Sequence, residues 1–321
     1  MVMRIPEYQE IYDQIRPLSD FQRGGTSIGS LSKRACIQGD LHRIIRGIYI
    51  QKHIWQAWPE DNRVYANHIA YALTHRDFYF SHTSAAIFHG LDLLKTPETI
   101  HIIAKGQSRP GRKSAVCHRT TSEILSQCYL TENLVPVTSA LQTVLDCAKT
   151  LHFQDAVILA DSAMRSTFET SSVVDPQELQ EELSEYTGYR KKQVHAVARA
   201  MSQFSGSAAE TITRLALTDL GFPVPKEQYR IQLDQHHYYD LDFAFPEHKL
   251  FVEVDGQGKY FNQRISTSRV IQAEHKRQRT VEKLTGWRCI RIYWDDIYPS
   301  PVKLYRALEP YLPNLRSPNL R

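Results

Sequence analysis

Polar and apolar positions alternate in YDLDFAF and again in LFVEVDG, so Tyr239 to Phe245 and Leu250 to Val254 read as neighbouring strands. Tyr229 to Leu233 gives another strand just before them. Upstream the period changes: Ala208 to Leu220 follows helical spacing, carries Glu210 and Arg214 four residues apart, and stops at Gly221-Phe222-Pro223. Downstream, a basic helix is expected over about Val270 to Thr285, closed by Gly286, and WRCIRIYW supplies a fourth strand. The C-terminal third therefore reads αβββαβ.

The N-terminal pattern is different. A helix is expected near Tyr8 to Ile15, a turn at Gly24-Gly25 and a second helix around Ser27 to Ala35. In LHRIIRGIYI, Leu41, Ile44 and Ile45 suit a helix, Gly47 a turn, and Ile48 to Ile50 a strand. Helix, helix, basic turn and strand is the order expected of a winged helix. A mixed α/β stretch follows: a helix near Arg63 to Leu73, an aromatic strand running into a small-residue helix in FYFSHTSAAIFHGL, and extended segments at Thr99 to Ile103 and Ser114 to His118. VPVTSALQTVLDCA adds a strand, a cap at Thr138 or Ser139, and an amphipathic helix. Gln193 to Gln203 continues as helix, broken at Phe204-Ser205-Gly206-Ser207.

These elements divide the chain into a winged helix at 1–58, an α/β domain at 59–168, an acidic, helical linker at 169–206 and a C-terminal domain at 207–321. The full length of 321 residues is ample for such an α/β multidomain chain. The net charge of +4 is modest, but its distribution is uneven. Phe21 to Trp55 holds six basic residues and one acid, and Gly256 to Trp294 holds nine basic residues and two acids. Glu169 to Thr187, between them, has six acids and no lysine or arginine. Two basic modules thus flank an acidic, polar joint. The five cysteines are scattered with no CxxC pair, which points to a reducing compartment and away from a zinc ribbon. No long apolar run suggests a signal peptide or a membrane span, so a cytoplasmic protein with no membrane partner is expected.

The chemistry concentrates in the two alternating strands. The period of two places Asp240 and Asp242 on one face of their strand, and Glu253 and Asp255 on one face of the next, so four carboxylates are expected to converge. A glutamate in a strand as apolar as LFVEVDG needs something to offset its charge. Magnesium does so with one or two carboxylates, water and substrate phosphate, and it activates water for attack on a phosphodiester. The plainer account is an acidic sheet edge paired to Arg277 or Arg279.

EVDGQGKY after YDLDF, preceded by AAETITRLALTDLGFPVP and followed by HKRQRTVEKLTGWRCIRIYWDDI, resembles the very-short-patch-repair-endonuclease type of PD-(D/E)XK nuclease. The resemblance covers about Ser207 to Asp296 and implies a restriction-endonuclease-like domain. It implies Mg2+ or Mn2+ held by Asp242, Glu253 and the main-chain carbonyl of Val254, with Glu210 completing the acidic patch. The superfamily pattern has lysine two residues after the glutamate. Asp255 stands there, which leaves water activation to Lys259, His275 or Lys276, with Lys259 the first choice. The basic helix residues Lys276, Arg277 and Arg279 read as phosphate-positioning.

GDLHRIIRGIYI, FSHTSAAIFHGL and VPVTSALQTVLDCA, within about Gln22 to Ala148, resemble AbiEi-type antitoxin proteins. This implies DNA contacts by Arg43 and Arg46 at the wing and by Lys33 and Arg34 on the recognition helix, and a cognate toxin as partner. Two functions follow from the two resemblances: a metal-dependent DNA endonuclease targeted by a winged helix, or an antitoxin-type regulator whose nuclease fold only binds DNA or a partner. His82, His89 and His118 match no common metal-ligand spacing and read as packed or capping residues. Ser84 with His89 lacks the turn and orienting acid of a nucleophile and base.

Overall fold

The computed structural model describes residues 2–3, 5–17, 20, 40–105, 115–166, 171–235, 237–255 and 267–313, with side chains from Lys276 onward in the last segment. The expected helix at Ser27 to Ala35, Lys33 and Arg34 lie outside the described residues, as do Lys259 and the turn before it. The fold is mixed α/β and forms two compact units, Met1–Leu159 with Val173–Ala196, and Ala160–Ser172 with Val197–Arg321.

The first unit opens with α1 (Tyr8–Tyr12), β1 (Arg16–Pro17), β2 (Leu41–Ile45), β3 (Ile48–Gln51), α2 (Lys52–Ala57) and α3 (Glu60–Thr74). Strands β1 to β3 form one sheet in the order β1-β3-β2. LHRII, expected to be helical, is instead the first arm of a hairpin with β3. The physical reason is local. Gly47 takes φ 98°, which a non-glycine residue rarely adopts, and so closes a tight turn. A register shift between Arg43 and Ile45 breaks the period of two, so the apolar spacing imitates a helix.

The unit continues with β4 (Phe78–Phe80), α4 (His82–Phe88), β5 (His101–Ala104), β6 (Val116–His118), α5 (Ser122–Ser126), β7 (Tyr129–Leu130), β8 (Pro136–Val137) and α6 (Ala140–Thr150). Its second sheet runs β6-β5-β4-β8-β7. Tyr71, Phe78, Phe80, Ile102 and Val137 form the core beneath it. Ser139 is the N-cap of α6 and its side chain accepts from the Gln142 amide. Next come α7 (Phe153–Met164), α8 (Pro176–Glu185) and α9 (Lys191–Ala200). Helix α8 lies in the acidic stretch, is capped by Asp175, and buries Leu179 and Leu183. Helix α8 is therefore packed structure and not a bare tether.

The second unit contains α10 (Ala208–Asp219), β9 (Lys226–Gln232), β10 (Tyr238–Phe245), β11 (Leu250–Asp255), α11 (Thr267–Thr285), β12 (Arg288–Tyr293), α12 (Trp294–Ile297) and α13 (Val302–Leu308). The sheet order is β12-β11-β10-β9, with β11 and β12 parallel and the other pairs antiparallel. The αβββαβ order is therefore present. Tyr239, Leu241, Ala244 and Phe251 pack with Val281 of α11 in one core.

Candidate functional site

Strand β11 is buried along its whole length, including Glu253 and Asp255. Across the antiparallel ladder Phe243 pairs with Val252, so continuing the register by one residue places Asp242 opposite Glu253. Asp242 Oδ2 accepts from the Val254 amide at 2.7 Å, which fixes this carboxylate to the neighbouring strand. The Tyr239 hydroxyl donates to Glu253 Oε2 at 3.3 Å. Burial first, and the Glu253 charge second, push the Tyr239 phenol well above its ordinary pKa, so it stays a donor.

The expected convergence of four carboxylates is corrected. Asp240 is held by Arg230 on the edge strand β9 in a two-pronged pair at 2.7 and 2.8 Å. Gln228, opposite Asp242 in the β9–β10 register, has φ 45°, and no pair joins the two residues. Asp240 is thus engaged at the edge by Arg230, and among the described residues no three of the acids gather into one group.

Asp255 Oδ2 accepts from Arg291 Nη1 at 2.9 Å, and Arg291 Nη2 donates to Gln278 of α11 at 3.3 Å. Among the described contacts, Arg230 and Arg291 are thus partners of the acidic edge, neither of them the expected Arg277 or Arg279. Burial works against the Arg291 charge, and the Asp255 hydrogen bond together with the charges of Asp255 and Glu253 outweighs it, raising the guanidinium pKa. Arg277 lies over the Tyr239 ring at 4.6 Å, while Lys276 and Arg279 are exposed.

Glu210 is buried in the first turn of α10. Its carboxylate accepts from the Gly206 amide at 2.7 Å, the Ser207 hydroxyl at 2.9 Å and the Gln228 side chain at 3.0 Å. Arg214, expected beside it, instead pairs with the buried Asp161 and with Glu227. Gln228 was not singled out from sequence, because nothing in an edge-strand glutamine marks it. It donates to Glu210, and so ties α10 to strand β9.

Carboxylate and carbonyl oxygens are the donors that magnesium or manganese prefers, and the facing pair Asp242 and Glu253 meets the usual requirement of one or two carboxylates. Among the described residues no group of three His, Cys, Asp or Glu is gathered to hold a metal. In the first unit, Arg43 on β2 and Arg46 in the hairpin turn are both exposed.

Ser84 and His89 are not partners: the Ser84 hydroxyl faces His68 Nε2 at 2.9 Å, and His89 Nε2 meets the Thr138 carbonyl at 2.8 Å. His82 and His118 do meet, together with His101, which the sequence did not single out. Among the described residues no helix is long and apolar enough to cross a membrane. No protein-family model matches the chain, and no curated protein matches it.

Proposed function

We propose that this chain is a metal-dependent DNA endonuclease whose C-terminal domain, of the PD-(D/E)XK restriction-endonuclease-like type, hydrolyses phosphodiester bonds. The observation that carries the reading is the facing of Asp242 and Glu253 across β10 and β11 inside an αβββαβ unit, with a basic helix following. Asp242, Glu253 and the Val254 carbonyl would hold Mg2+ or Mn2+, which supplies water activation and neutralises charge on the phosphate. Tyr239 orients Glu253 by its hydrogen bond. Lys276 and Arg279 are exposed to take phosphate contacts, and Arg277 is anchored on Tyr239. The β2–β3 hairpin, with Arg43 and Arg46 exposed, supports a wing that grips the DNA backbone.

A second reading, an antitoxin-type regulator that binds DNA or a cognate toxin without cutting, is favoured by one observation. Asp255, paired to Arg291, occupies the position where the superfamily carries lysine. The two readings separate on Asp242→Asn and Glu253→Gln assayed with supercoiled plasmid and Mg2+ or Mn2+. The nuclease reading expects cleavage to fall to background in both variants while DNA binding persists. Cleavage at the parent rate in both variants, or none in the parent with either metal, overturns it.

A further inference from the structure

Three histidines from separate elements meet in the first unit. His82 opens α4, His101 opens β5 and His118 closes β6. The His82 and His118 rings stack with centroids 3.7 Å apart, and His101 lies 5.1 Å from His118 and 5.5 Å from His82. His101 Nδ1 and His118 Nε2 are 2.8 Å apart. One of those nitrogens must donate and the other accept, and a doubly protonated imidazolium has no acceptor. The contact therefore requires at least one neutral ring.

The charged neighbours do little to invite a proton. From α6, Asp146 Oδ2 stands 3.9 Å from His82 Nδ1, but Lys149 already holds Asp146 at 2.6 Å. The Ser81 hydroxyl is 3.0 Å from His82 Nδ1. From α3, buried His68 bonds to Ser84, whose hydroxyl also accepts from the His101 amide at 2.8 Å. Cys128 is a further titratable group within the field of Asp146. Burial, reinforced by the neighbouring imidazoles, pushes His82 down to about 2 and His101 to about 4. Burial also lowers His118, with Asp146 opposing and Lys149 assisting.

Two further observations locate the consequence. His82 adopts φ 52°, a left-handed conformation that is uncommon outside glycine, so its ring is held against the stack at some backbone cost. Among the described residues, strand β6 spans three residues at the sheet edge and pairs with β5 alone. His118 is its contact with both other histidines. The stacked rings present faces to one another, a poor arrangement for ligating one ion.

We infer that the His82–His101–His118 stack is a proton-operated latch: neutral imidazoles hold edge strand β6 against β5 and α4, and proton uptake releases it. A histidine whose folded pKa lies below its unfolded value favours the open state as pH falls through the range between the two. Opening of β6 is thus smallest above the ordinary histidine pKa of about 6.5 and grows as pH drops below it. Each linked proton multiplies the opening constant by about tenfold per pH unit in that range.

The test is hydrogen–deuterium exchange on the full chain, corrected for intrinsic rates, at about pH 7.5 and about pH 5.5, a span that brackets histidine titration. Peptides covering β5 and β6 should lose protection about tenfold or more at the lower pH, while those of α10 in the second unit keep theirs. His118→Gln, which cannot titrate, should flatten the dependence. Should that variant fail to fold, His82→Asn gives the same reading, since asparagine tolerates positive φ. Equal protection of β6 at both pH values in the parent overturns the latch. So does an unchanged pH dependence in whichever variant folds, or loss of the neutral-pH protection on adding a chelator, which would assign the cluster to a metal.

Discussion

The histidine stack of the first unit and the carboxylates of the second answer one difficulty, the burial of ionisable groups, in opposite ways. The imidazoles shed their charge, because one of them can always act as a neutral acceptor for another. Glu253 is instead given a donor by Tyr239, Asp255 by Arg291 and Glu210 by the Gly206 amide and Gln228. A neutralised cluster packs but remembers pH, since a proton can return. A donor-tied cluster keeps its geometry, which suits oxygen ligands for a hard cation.

The largest expected effect tests the carboxylate half of that contrast. Asp161 is fully buried and held by Arg214, with the Ser202 amide and Thr211 hydroxyl donating at 2.7 Å each. Burial outweighs those partners and raises its pKa to about 6. Arg214→Met leaves a buried carboxylate without its cation and should cost about 3–5 kcal/mol in urea unfolding followed in the second unit. Asp161 is then still easier to protonate, so the folded state binds the extra proton. The deficit should be greatest at alkaline pH, shrink as pH falls towards about 6, where Asp161 of the parent also takes up its proton, and level off below, opposite in sign to the first unit. A deficit that is flat with pH would mean that Asp161 is already protonated in the parent.

The next effect tests whether the donor-tied geometry serves a metal. Tyr239→Phe removes the hydrogen bond to Glu253 while leaving the ring under Arg277. Loss of such an outer partner should weaken Mn2+ binding about tenfold, or roughly 1.4 kcal/mol, measured by electron paramagnetic resonance titration. Unchanged affinity would place Glu253 outside the ligand set or show that its other contacts suffice.

Much of this was legible in sequence, with identifiable exceptions. The αβββαβ order came through because each element carries its own period and stop signal, such as Gly221 and Gly286, both with positive φ. The Asp242–Glu253 pair was visible because antiparallel neighbours joined by a short connection share a simple register. Asp240 was misplaced because its pairing with Arg230 follows from the register of β9 against β10, which the sequence alone does not reveal. LHRII was misread because a register shift in a short strand imitates helical spacing. The pairing of Arg291, read as a phosphate contact, with Asp255 and the place of His101 were missed for a different reason. Their partners lie 36 and 17 residues away, and only the assembled sheet brings such positions together.

The smallest expected effect belongs to the exposed charges of the first unit, where neither neutralisation nor a fixed donor is required. Arg43 and Arg46 project from the hairpin, and neither is buried. If the hairpin grips a duplex backbone, each arginine displaces about one condensed counterion, and log affinity falls with log salt by about 0.9 per neutralised phosphate. Arg43→Ala and Arg46→Ala should each flatten the slope by about one unit, and the double variant by about two, with no change in folding midpoint. Sequence preference should be unaffected, because phosphate contacts carry no base information. Fluorescence anisotropy of labelled duplexes of different sequence across a salt series reads the slope and the preference, and urea unfolding reads the midpoint. An unchanged slope in the double variant would remove the hairpin from the DNA interface and leave the basic helix α11 as the principal phosphate contact.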